Sequence, residues 1–115
     1  MKLSTAARRF LAHLRVERGL AAATLEAYAG DLAKYMEFAG DPQLEDVTQK
    51  EVEGFRGALA AQGLAAASAR RAMAAVRGLH RFALLEGWTA VDPAAEVAPP
   101  RVGLRLPKAI TVDQV

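Results

Sequence analysis

Gly19, Gly40, Gly63 and Gly87 each stand just past a run of helical period, and they divide the chain into four helical segments. Glycine in that place is the usual left-handed stop, since it has no Cβ to clash there. A chain punctuated this way is expected to be all-α. The first segment runs from Ser4, read as its N-cap, to about Arg18. Ala7, Phe10, Leu11 and Leu14 form its apolar stripe, and Arg8 and Arg15 share its outer face. The second runs from about Ala22 to Ala39. Its stripe is Leu25, Tyr28, Leu32, Tyr35, Met36 and Ala39, with Glu26, Gly30, Lys34 and Glu37 facing away and Ala27 and Asp31 at the border. The third opens on Thr48-Gln-Lys-Glu51, a capping box, with Val47 and Val52 placed as a hydrophobic staple. Val52, Phe55 and Leu59 are its buried stripe, and its acidic approach turns it away from any polyanion.

The fourth segment, Ser68 to Glu86, carries the functional signal. At about 100° per residue, Ala69, Ala72, Met73, Val76, Leu79, His80 and Ala83 fall in one arc. Arg70, Arg71, Arg77 and Arg81 fall in the opposite arc, with only Ala74 and Gly78 among them and no acid on that face of the helix. Guanidinium forks suit phosphates and guanine edges, and small neighbours let a helix backbone approach a groove wall. The alternative is an ordinary solvated arginine face.

Charge placement favours a polyanionic partner. The net charge is only +2, yet Lys2, Arg8, Arg9, Arg15 and Arg18 stand against Glu17 in the first twenty residues. Asp41, Glu45, Asp46, Glu51 and Glu53 cluster in the middle. At 115 residues the chain is one domain or a domain plus a tail. Cysteine is absent and His13 and His80 lie far apart, which leaves no thiolate or zinc site and calls for no cofactor. His80, on the apolar arc, is read as a satisfied core residue. Nothing approaches the run of about 18 apolar residues that spans a membrane, and the start lacks a signal core, so a cytoplasmic protein is expected. There is no glycine-rich phosphate loop and no pair of carboxylates with a base, which argues against a stand-alone enzyme or a small-molecule substrate. Nothing in the pattern activates Tyr28 or Tyr35 as a nucleophile.

A short echo links the second and fourth helices. Gly19-Leu-Ala-Ala-Ala-Thr24 opens one, and Gly63-Leu-Ala-Ala-Ala-Ser68 opens the other. Each puts a hydroxyl in a first turn, where free N–H groups and the dipole favour an anion. These hydroxyls either help hold a phosphate or only satisfy the helix ends. After Gly87 the pattern changes. Trp88 is expected over the end of the fourth helix, and residues 89–108 read as an extended, proline-rich basic linker carrying Arg101, Arg105 and Lys108. Thr111-Val-Asp-Gln114 is another capping box followed by Val115, so residues 109–115 read as the opening of a further domain.

Taken together, RVERGLAAATLEAYAGDLAKYMEFAG, LEDVTQKEVEGFRGAL, RRAMAAVRGLHRFALLEG, the PP…LPK linker and the TVDQV start resemble the N-terminal core-binding, SAM-like domain of tyrosine site-specific recombinases of the Xer and phage-integrase type. The resemblance implies a SAM-like orthogonal bundle of four helices at residues 1–88, forming one half of a C-shaped clamp on double-stranded DNA. Its second and fourth helices would lie towards the major groove. By position, Thr24 and Tyr28 match the family's T…Y and Arg71 and Arg77 its helix-four arginines. The catalytic residues of the family belong to a domain that would follow Val115, and the full-length relatives act as tetramers. Gly30 and Ala72 stand where relatives carry a basic residue, His80 where they carry an aromatic, and Ala21 and Ala65 where a serine cap is common. The expected contacts are Arg71 and Arg77 in the groove, Thr24, Ser68, Arg70, Arg81 and Lys34 at the backbone, and Arg101, Arg105 and Lys108 along the strand, with Tyr28 a further DNA-binding residue by position. A helical protein-interaction module with a basic face is the competing function.

Overall fold

Leu3–Val16 (α1), Ala22–Ala39 (α2), Gln49–Ala61 (α3) and Ala66–Leu85 (α4) are α-helical in the computed structural model, which describes residues 1–97. The punctuating glycines take φ of 62°, 79°, 71° and 78°, the left-handed stop their positions predict. Among the described residues there is no β-sheet, only an isolated bridge between Lys2 and Gln43. A short 3-10 turn, Leu44–Asp46, links α2 to α3.

Packing follows the apolar stripes. Leu3, Ala6, Ala7, Phe10 and Leu14 of α1, Leu32 and Tyr35 of α2, and Val52, Phe55 and Leu59 of α3 close on α4. From α4 come Ala69, Ala72, Met73, Ala75, Val76, Leu79 and Ala83, and its largest interface is with α2. Alanine at so many of these positions lets the neighbouring helices come close, while Tyr35 and Phe55 fill the space between them with ring centroids 5.0 Å apart. The α3 capping box forms as read: Thr48 Oγ1 accepts from Glu51 N–H at 3.2 Å, and Glu51 Oε1 accepts from Thr48 N–H at 3.1 Å. Val47 and Val52 are both buried, as a staple requires.

Three expectations need correction. Ser4 is not the N-cap of α1: the helix begins at Leu3, and Asp41, from the far side of α2, caps it instead. Its Oδ1 accepts Ser4 N–H at 2.9 Å and its Oδ2 accepts the Ser4 hydroxyl at 2.8 Å. Those bonds, backbone first, hold the Asp41 carboxyl below its ordinary pKa. The linker does not begin at residue 89. Trp88 packs edge-on against Phe82 at 5.2 Å and lies under the Arg9 guanidinium, as expected at the end of α4. The chain then makes a turn at 93–96 in which Asp92 Oδ1 accepts Ala94 N–H at 2.9 Å, and Ala94 and Val97 enter the core. Arg101, Arg105, Lys108 and the Thr111 capping box lie outside the described residues. His80 is only half satisfied. It is wholly buried, with Nε2 2.8 Å from the Tyr35 hydroxyl, but its Nδ1 has no partner.

Gly78 also has a different use from the one its neighbours suggested. A Cβ built there would lie 2.9 Å from Phe10 Cζ, so the missing side chain admits the α1 ring rather than a groove wall. Gly78→Ala is therefore expected to destabilise the fold by about 1 kcal/mol, although alanine favours a helix interior by a similar amount, because overpacking costs roughly 1–3 kcal/mol. Thermal unfolding reads the effect, and Phe10→Leu in the same chain should recover most of it.

Candidate nucleic-acid interface

Because α4 buries one arc so completely, its other arc must face out. Arg70, Arg71, Ala74, Arg77 and Arg81 are all exposed. Among the described residues no carboxylate comes within ion-pair distance of Arg70, Arg77 or Arg81. Arg71 differs, which corrects the reading that no acid answers this face. Asp31 of α2 is buried and its oxygens accept from Arg71 Nε at 2.8 Å and Nη2 at 2.9 Å. The hydrogen bond first, and the Coulomb attraction second, raise the Arg71 pKa above its ordinary value. The pair is close to neutral, so among the described residues three guanidinium groups of this face, rather than four, lack an ion-pair partner.

Two hollows divide the basic surface. Arg77 and Arg81, with Ala74 and Gly78, border one against Asp92, Ala94 and Ala95 near the C-terminal turn. Arg81 also borders the other, which reaches His13 and Arg18 at the end of α1 and Tyr28 of α2. Tyr28 is half-buried, and Thr24, one turn earlier on the same side of α2, is exposed. Arg70, Arg77 and Arg81 thus share the outer arc of α4 and Tyr28 lines a hollow with Arg81, whereas Ser68, on the other side of the helix from the arginines, is half-buried. The N-cap positions Ala21 and Ala65 carry no side-chain cap, so the first turns of α2 and α4 keep their amides open to an acceptor. Lys34 is exposed but lies apart, in a depression shared with Glu37, Phe38 and, from α3, Phe55, Ala58 and Gln62.

Three residues of this surface escaped the reading of the sequence. Arg18 belongs to the basic cluster of the first twenty residues, but spacing alone does not say which helix it meets. Asp31, placed at the border of its stripe, answers an arginine forty positions away. Asp92, read as the start of a linker, brings a carboxylate to the Arg77–Arg81 hollow.

The chain belongs to the phage integrase family: residues 7–87 match the model described as the phage integrase N-terminal SAM-like domain. Tyrosine recombinase XerD of Corynebacterium glutamicum is 43% identical over an alignment covering 100% of this chain and 40% of that protein. XerD of Mycobacterium tuberculosis H37Rv is 44% identical, covering 92% of this chain and 37% of its own length. Among solved structures, a lambda integrase dimer bound to a COC′ core site matches with a TM-score of 0.79 and 26% identity, covering 91% of this chain and 36% of that one. The chain thus spans about 40% of the length of the XerD proteins it matches. Among the described residues no helix is long and apolar enough to cross a membrane.

Proposed function

We propose that this domain binds double-stranded DNA and positions a tyrosine recombinase of the Xer type on its recombination site. The observation that carries the reading is the set of Arg70, Arg77 and Arg81, exposed on the outer arc of α4 and without ion-pair partners among the described residues. The lambda integrase match, a protein bound to its core site, supports the same reading. Affinity comes mainly from phosphate neutralisation, with the open amides of α2 and α4 and the Thr24 and Ser68 hydroxyls as further backbone anchors. Arg77 is the groove reader, Arg70 and Arg81 hold phosphates, and Tyr28 lines a hollow shared with Arg81. Arg101, Arg105 and Lys108 follow the strand towards a second domain, which in a full-length protein cleaves DNA through a covalent tyrosine–phosphate link. Such a protein works in the cytoplasm as a tetramer, in chromosome dimer resolution or DNA integration. Lys34, set apart from the arginines, contributes least.

Titrating duplex DNA at several salt concentrations tests the proposal. The observed constant should fall with a log–log slope of about −0.9 per phosphate contacted. A protein-interaction module would show no appreciable duplex affinity at moderate salt. Within the interface, Arg77→Ala is expected to cost about 1–3 kcal/mol and relax sequence preference, as loss of a base contact does. Arg81→Ala should weaken all duplexes alike. Equal affinity of both variants and the parent would place the docking face elsewhere.

A further inference from the structure

The α2–α4 interface contains a carboxylate that stability alone explains poorly. Asp31 has 3% of its side chain exposed, and Arg71 supplies both of its hydrogen-bond donors. Taking a carboxylate out of water is costly, and a buried ion pair is often no more stabilising than apolar side chains of the same volume. Apolar residues would fit here, since Leu32 and Tyr35 of α2 and Ala72 of α4 are buried nearby in sequence. Arg71, by contrast, keeps 42% of its side chain exposed, one residue from Arg70 on the basic face.

The way the pair is made is informative. Asp31 engages Nε and Nη2, one edge of the guanidinium fork, and leaves the Nη1 protons and one Nη2 proton for another acceptor. A free surface arginine must give up rotamer freedom when it binds, whereas one held by a buried carboxylate has already done so. The carboxylate also cancels most of the charge that would draw Arg71 to any phosphate.

We propose that Asp31 is a positioning residue for DNA recognition: it fixes the plane of Arg71 so that the free edge meets one acceptor on a base, and makes Arg71 a discriminating contact instead of a general phosphate anchor. This rests on the DNA-binding reading above. It assigns Asp31 a part in specificity although Asp31 itself touches no DNA.

The test compares duplexes selected from a random library by the unsubstituted chain with the unselected library, over a salt series. Asp31→Asn keeps the shape of the side chain and frees the arginine. It should lower the selected-to-unselected affinity ratio about tenfold, the scale of one base contact, while the salt slope on the unselected library steepens by about 0.9 as one more cation meets phosphate. Arg71→Lys keeps the charge balance but loses the fork. It should lower the ratio about as much with the slope unchanged, and it stands in for Asp31→Asn if that variant fails to fold. Ratios within twofold of the parent in folded variants would overturn the proposal and leave the pair as a brace. If the unsubstituted chain binds no duplex at all, the DNA-binding reading itself has failed, a result distinct from a duplex-binding chain whose ratio does not move.

Discussion

Acidification from about pH 7 to about pH 4 is expected to remove up to roughly 3 kcal/mol of folding stability, most of it through one buried side chain. Burial pushes the His80 pKa from 6.5 down to about 4, with the Asp92 charge opposing the shift. The unfolded chain therefore takes up a proton as pH falls through 6.5, whereas the folded chain resists until near 4. Stability is complete above the upper value, declines across the window and levels off below it; at 1.36 kcal/mol per unit the loss sums to about 3 kcal/mol. The Tyr35 hydroxyl, itself pushed up first by burial and then by the Glu51 charge, stays neutral throughout. Urea unfolding across the window measures the slope. The double variant His80→Phe/Tyr35→Phe removes the titrating ring together with the hydroxyl it would otherwise strand, and should flatten the curve between 6.5 and 4. Asp41, whose carboxyl is held down by Ser4, contributes stability that disappears only as pH falls through a lower range. A double variant with the parental slope above pH 4 would move the cause away from His80.

The second large effect concerns binding. Replacing Arg70, Arg77 and Arg81 together by alanine should reduce the salt slope on non-specific duplex by about 1.8 for the two phosphate contacts of Arg70 and Arg81, which at about 0.1 M salt is roughly a 60-fold loss of affinity. All three side chains are exposed and form no ion pair among the described residues, so thermal unfolding should hardly change. Replacing Arg8 and Arg15, which border an apolar groove between α1 and α2, is the matched control and should shift the slope far less. If the control pair proved the more damaging, DNA would lie across α1.

How far the sequence could be read depended on the range of each interaction. The helices, their glycine stops, the α3 capping box and the two arcs of α4 all follow from residues within a turn or two of one another. The Asp31–Arg71 pair, the Asp41 cap on α1 and the Tyr35–His80 hydrogen bond join residues 37 to 45 positions apart. Helical period predicts which face each residue takes but not what it meets there. Gly78 illustrates the same limit, since a small residue among arginines looks like room for DNA until Phe10 is seen against it. The turn after Asp92 was hidden by its proline, which signals an end to helix but says nothing about burial of Ala94 and Val97.

That turn has a mechanical consequence. Because Ala94 and Val97 are anchored in the core and Ala94 and Ala95 line the Arg77–Arg81 hollow, the backbone stays fastened to the bundle along that edge as far as Val97, nine residues later than Trp88.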